Sequence, residues 1–134
     1  MAEKADVLLV GPPKPTIVNG LATPFTLHRL VDAKDREALF AGIAPRVRAL
    51  AVSATSEPID GKFMGRFPLL EIVSTFGVGY DHVDTKWANE RGIVVTNTPE
   101  VLTEEVADTA LGLLLNTVRE FPQAERYQIG RAHV

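Results

Sequence analysis

Cysteine is absent from the 134 residues. That removes a disulfide scaffold, a thiolate metal site and a cysteine nucleophile from consideration. It suits a reducing compartment, and the expectation is a cytoplasmic protein. Long apolar runs are missing too: the longest lies near Leu111–Leu115, far short of a membrane span. Met1–Asp6 is polar and charged, and Val7–Val10 is too short for the apolar core of a secretory signal. No excess of basic charge exists. The 14 Lys and Arg against 17 Asp and Glu leave a net charge of −3, which argues against nucleic acid or an anionic membrane as partner. Neither a G-x-G-x-x-G turn, a P-loop nor a G-x-S-x-G elbow occurs. What remains is an ordinary globular balance, 46% hydrophobic and 23% charged, at the length of one domain.

The apolar pattern alternates between strand and helix. Val7–Val10, Val47–Val52, Leu70–Phe76 and Ile93–Thr96 are short apolar runs closed by turn residues, as strands buried on both faces read. Thr26–Leu30 is a weaker strand. Ala33–Ile43 has helical spacing after a cap at Asp32 or Asp35, and Lys62–Phe67 suits one or two helical turns. Asp84 caps a short helix over Thr85–Arg91 that Gly92 ends. Thr103 reads as the N-cap of a long helix running to about Tyr127, with Glu104 and Glu105 at the positive end of its dipole. Apolar residues from Val106 to Val118 cover almost every face of it, so it should be buried nearly all round, and Pro122 should break or kink it. This order predicts an α/β fold: a flavodoxin-like, five-stranded parallel sheet in the order 2-1-3-4-5, with helices on both faces.

In such a sheet ligands bind beyond the carboxyl ends of the strands, where two segments stand out. In Ser74–Asp84, Gly77 and Gly79 allow unusual backbone conformations and remove side-chain bulk. The N–H groups of Val78 and Gly79 could then receive a carboxylate without any charged side chain. A plain strand-to-helix turn satisfies the same spacing. In Thr96–Thr103, Pro99 keeps Thr98 out of the helical region, and Asn97 and Thr98 could bond a ligand or brace the turn. His28 falls on a predicted strand, His133 in the tail, and His82 has no acidic partner at a telling spacing; none of the three receives a catalytic role. Asp81, His82 and Asp84 could hint at a metal, but a helix cap at Asp84 is simpler. Asp108, in an apolar helix, reads as paired at a domain boundary.

Together these segments resemble the D-isomer-specific 2-hydroxyacid dehydrogenases. The resemblance is carried by Glu71–Asp84, by Arg91–Pro99 with Val101-Leu102-Thr103, and by Val106–Leu115, in that order, and it extends from about Val7 to Tyr127. Its flavour is closest to the glyoxylate/hydroxypyruvate reductase branch. It implies a substrate domain built from both chain ends, an inserted nucleotide domain binding NAD or NADP, a homodimer, and reduction of a small 2-oxo acid to a D-2-hydroxy acid. It further implies that Val78 and Gly79 hold the substrate carboxylate, that Gly77 keeps the loop open, and that the region around Val106 meets the nicotinamide end of the cofactor. The family's glycine fingerprint and its catalytic arginine, glutamate and histidine have no counterpart here, so the expectation is an N-terminal fragment with no catalytic residue of its own. The implied division is a substrate domain over 1–102, domain-crossing helices over 103–127, and a tail over 128–134. Ile129–Val134 resembles the translation of a sequencing-adapter read-through.

The competing class is a stand-alone flavodoxin-like binding or interaction module. A receiver domain would show acidic residues after the first strand and a phosphorylatable Asp after the third, where this chain has Gly11-Pro12-Pro13 and Ser53-Ala54-Thr55. A flavodoxin would need a hydroxyl-rich phosphate loop after the first strand, which Gly-Pro-Pro-Lys does not supply.

Overall fold

All four strand pairings are parallel, and the inner strands show why. Every residue of β1 (Asp6–Val10) is buried, so neither face of that strand can be left to water. The computed structural model describes residues 4–55 and 57–131, the last two as backbone only. With β2 (Thr26–Arg29), β3 (Val47–Ser53), β4 (Ile72–Phe76) and β5 (Val94–Thr96), the order is β2-β1-β3-β4-β5, as the alternation predicts. The helices are α1 (Pro15–Ala22), α2 (Arg36–Ile43), α3 (Gly61–Met64), α4 (Thr85–Asn89), α5 (Thr103–Val118) and α6 (Phe121–Arg131), with a 3-10 turn at Leu30–Asp32. They fall into two units, Met1–Pro99 and Glu100–Val134.

In the first unit the core lies mainly on one face of the sheet. Leu8, Val10, Leu50, Val52 and Val73 pack there with Phe40, Ile43, Phe63, Met64 and Ala88 from α2, α3 and α4. Phe40, Phe63 and Phe67 meet edge to face with ring centroids 5.8–6.0 Å apart, a geometry that adds about 0.5–1.5 kcal/mol per pair to area burial. The other face is thinly covered. A groove of about 450 Å³ runs between Ile17 and Leu21 of α1 and Ala51, Ser74 and Phe76 of the strands.

Side-chain caps define three helices as their sequences ask. Asp35, Asp60 and Asp84 accept from the N–H three residues on, opening α2, α3 and α4. Asp35, not Asp32, is therefore the cap of α2. Helix α1 carries no sequence signal of the usual kind: it has no side-chain cap and no buried residue, and only Pro15 in its first turn marks it.

In the second unit the long helix is broken, as expected, though just before Pro122 rather than at it. Chain direction changes at Arg119-Glu120, where Glu120 has φ 53°, and Pro122 sits in the first turn of α6 rather than inside a helix. Thr103 is the first helical residue and Leu102 the N-cap, without a side-chain bond. No residue of α5 is buried: Leu111, Leu113, Leu114, Leu115 and Val118 lie open, so the burial that its apolar faces call for is not met within this unit. Asp108 is exposed and has no ion-pair partner among the described residues. Gln128 continues α6, whereas 132–134, His133 among them, lie outside the described residues. No helix among the described residues is long and apolar enough to cross a membrane.

The β1 loop has one position with no latitude. Gly11 has φ +94°, and a Cβ there would stand 1.8 Å from the Ser53 carbonyl oxygen. Gly11→Ala should cost about 3 kcal/mol, read as a lowered midpoint in denaturant unfolding; an unchanged midpoint would show that the two strand ends can separate freely.

Candidate functional site

Parallel pairing delivers four loops to one edge of the sheet: Gly11–Lys14 after β1, Ser53–Thr55 after β3, Phe76–Gly79 after β4 and Thr96–Thr98 after β5. The first two are locked together. Fully buried Ser53 donates its Oγ hydrogen to the Pro12 carbonyl at 2.6 Å, beside the close approach at Gly11. Ala54 then turns away with φ 32°, left-handed backbone that a side chain seldom adopts.

The glycine loop is held from one side only. Thr98 N–H donates to the Gly77 carbonyl at 2.9 Å, and Asn97 Nδ2 donates to the Val78 carbonyl at 2.7 Å. The two segments singled out in the sequence are thus one device, with the loop after β5 clamping the loop after β4. The clamp takes the carbonyl side of the Val78 peptide chain. The N–H groups of Val78 and Gly79 have no protein acceptor among the described residues, and both residues are exposed. Two adjacent free donors on a braced loop can accept a carboxylate by charge-assisted hydrogen bonds, each roughly twice as strong as a neutral one.

The glycines work differently from the expectation. Neither Gly77 nor Gly79 lies in the left-handed region, which among the described glycines holds Gly11 and Gly92. A Cβ at Gly77 would meet its nearest neighbour at 3.6 Å, and one at Gly79 would meet Asp81 Oδ2 at 3.5 Å, both ordinary contacts. The fold would therefore accept a methyl group at either position. What their bareness leaves is room in front of the donors.

The remaining candidates scatter. Asp84 Oδ1 accepts from Trp87 N at 2.9 Å and is a helix cap. His82 gives its carbonyl to Ile59 N–H at 2.8 Å, while its buried Nε2 has no hydrogen-bond partner. His28 Nε2 lies 2.6 Å from Asp6 Oδ1, on the first two strands rather than in the loops. No group of three or more His, Asp or Glu among the described residues is placed to hold a metal. Val106 lies on α5 in the second unit and is exposed. Tyr80 and Asn97 also line a groove of about 770 Å³ beside β5 and α4, which Val78 and Gly79 do not line. One neighbour of the loop carried no sequence signal: the Lys14 ammonium sits 4.7 Å from the centroid of the Phe76 ring. Only the prolines on either side of Lys14, which stiffen its backbone, set it apart from other lysines.

A dinucleotide does not fit these residues. Gly77-Val78-Gly79 continues to His82 where the fingerprint needs a third glycine, and α4, which follows, has only five residues.

The D-isomer specific 2-hydroxyacid dehydrogenase catalytic domain matches residues 7–127. Glyoxylate/hydroxypyruvate reductase A of Arabidopsis thaliana is 38% identical over 125 residues, 93% of this chain and 40% of that protein. A 2-hydroxyacid dehydrogenase from Ketogulonicigenium vulgare superposes with a TM-score of 0.82 at 38% identity, over 96% of this chain and 40% of that one. The NADPH-dependent glyoxylate/hydroxypyruvate reductase of Sinorhizobium meliloti, solved with NADP and malonate, gives 0.75 at 45% identity, over 96% and 39%. The chain thus spans about 40% of the length of these relatives.

If the Asn97 clamp sets the direction of the free donors, Asn97→Ala should weaken binding of a small carboxylate such as acetate at Val78 and Gly79 roughly three- to tenfold, the worth of one hydrogen bond. Unchanged perturbation of the Val78 and Gly79 amide signals in an NMR titration would remove the clamp from the site.

Proposed function

Because the chain belongs to the D-isomer specific 2-hydroxyacid dehydrogenase family, we propose that it supplies the substrate-carboxylate grip of an NAD(P)-dependent reductase of small 2-oxo acids such as glyoxylate or hydroxypyruvate. The observation that carries this reading is the pair of N–H groups at exposed Val78 and Gly79, without a protein acceptor among the described residues, on a loop whose carbonyls are tied by Asn97 and Thr98.

The share of these residues in the reaction is binding and orientation. The C1 carboxylate accepts from Val78 and Gly79, and the clamp keeps both donors in place before the acid arrives. Such preorganisation lowers the ordering cost of binding. Gly77 and Gly79 leave the space the carboxylate occupies. When bound, the nicotinamide cofactor supplies the hydride. Val106, in the second unit rather than on the glycine loop, would be this chain's contact to the nicotinamide end of a cofactor held elsewhere, and the exposed leucines of α5 would meet the nucleotide domain and a second subunit of a homodimer. Support for these last assignments is the family resemblance together with the exposure of α5.

The malonate in the Sinorhizobium relative is a carboxylate ligand in a protein 45% identical to this chain, which supports a carboxylate site here.

Two measurements test the reading. The 134 residues alone should oxidise no NADH or NADPH with glyoxylate or hydroxypyruvate, because they hold neither a dinucleotide turn nor the family's acid–base residues; turnover by the purified chain would overturn the assignment. In the full-length enzyme, Gly79→Ala should melt like the parent, since the fold accommodates the methyl group, yet raise KM about tenfold, or about 1.4 kcal/mol. Gly79→Val should raise it further. Parent-like kinetics in both variants would move the carboxylate elsewhere.

A further inference from the structure

We propose that Lys14 is a specificity-determining residue, a second anion anchor that favours 2-oxo acids carrying a carboxylate at their far end. The proposal rests on the reading of Val78 and Gly79 as the grip for the C1 carboxylate, and it deepens that reading.

Lys14 is held on an unusually stiff stalk. Pro12, Pro13 and Pro15 flank it, its own N–H donates to the Pro12 carbonyl at 2.9 Å, and that carbonyl also accepts from Ser53 Oγ. The loop cannot retreat from β3, because Gly11 is packed against the Ser53 carbonyl. A lysine on such a base loses less conformational freedom on meeting a ligand than one on a mobile loop.

Its charge is uncommitted. Arg36 sits on Glu57, Arg48 on Glu71 and Arg66 on Glu37, each within 3.0 Å. Among the described residues no carboxylate lies within ion-pair distance of Lys14. The ammonium rests instead on the half-exposed ring of Phe76, 4.7 Å from its centroid. Phe76 immediately precedes Gly77, so the cation rests on the residue from which the loop with the free N–H groups starts. The ring shields one side of the ammonium from water, which strengthens any ion pair made on the other side.

The loop itself has little to offer a doubly charged acid. It attracts by peptide dipoles alone, and the Asp81 carboxylate stands 3.5 Å from the place a Gly79 Cβ would occupy. A monoacid needs only the two N–H groups. A diacid brings a second negative charge, and Lys14 is the cation beside the loop that is free to meet it.

The test compares glyoxylate with oxaloacetate and 2-oxoglutarate in the full-length enzyme, using the parent, Lys14→Met and Lys14→Arg. Methionine keeps the length and apolar contact with Phe76 but removes the charge. In the parent, at least one diacid should be reduced or should inhibit glyoxylate reduction competitively. Lys14→Met should weaken kcat/KM or inhibition constant for that diacid about tenfold and leave glyoxylate kinetics within twofold, and Lys14→Arg should restore most of the loss. If neither diacid is reduced or inhibitory, the proposal is overturned. So does an equal loss for glyoxylate and the diacid, which would mark a structural role, or no loss for either. Failure of the parent to reduce any 2-oxo acid would take the carboxylate grip down with it, whereas an active parent with an indifferent Lys14→Met variant defeats the anchor alone.

Discussion

A parallel sheet has a direction, and the rest of this structure depends on it. Every strand ends on the same edge, so loops far apart in sequence must gather there. The burial of both faces of β1 enforces the arrangement: a strand of five buried residues needs neighbours on both sides and cover above and below. β3 and β2 provide the first, and α2, α3 and α1 provide the second. The crossovers leave Gly11–Lys14, Ser53–Thr55, Phe76–Gly79 and Thr96–Thr98 as a row of adjacent loops.

Within that row the hydrogen bonding is asymmetric, and the asymmetry is what gives the site its chemistry. Carbonyls at Pro12, Gly77 and Val78 accept from Ser53, Thr98 and Asn97, while the N–H groups of Val78 and Gly79 remain unspent. A loop braced through its acceptors keeps its donors free. It needs no charged side chain to attract an anion, and it carries no mobile cation that would have to be ordered when the anion binds.

The second unit follows a different logic. A helix with apolar residues on nearly all faces should be buried, yet α5 buries nothing within its unit. Large exposed apolar surfaces mark interaction sites. The chain spans about 40% of the length of its relatives, and the proposed role of α5 as a contact surface accords with this exposure.

Much of this could be read from the amino acids. Short apolar runs closed by Gly, Pro and Asn gave the strand order, because period and turn chemistry are local and strong in β1, β3 and β4. Asp84 marks a helix start for the same reason. The order of the segments from Glu71 to Leu115 pointed to the family, which the match over residues 7–127 bears out. Other features were illegible. α1 has no cap and no buried face, so its helicity comes from its place beside the sheet. The break at Glu120 is a matter of one backbone angle. That Asn97 serves the glycine loop, that Gly77 and Gly79 have ordinary dihedrals, and that Lys14 stands over Phe76 are relations between strand ends 19 to 62 residues apart or dihedral facts. By itself the sequence determined which segments are strands, in what order they pair and which loops share an edge, because those follow from local periodicity and the handedness of crossovers. Only the tertiary structure decided which polar groups in those loops are spent on one another and which are left for a ligand, because hydrogen-bond partners are settled by distances across the sheet and not along the chain.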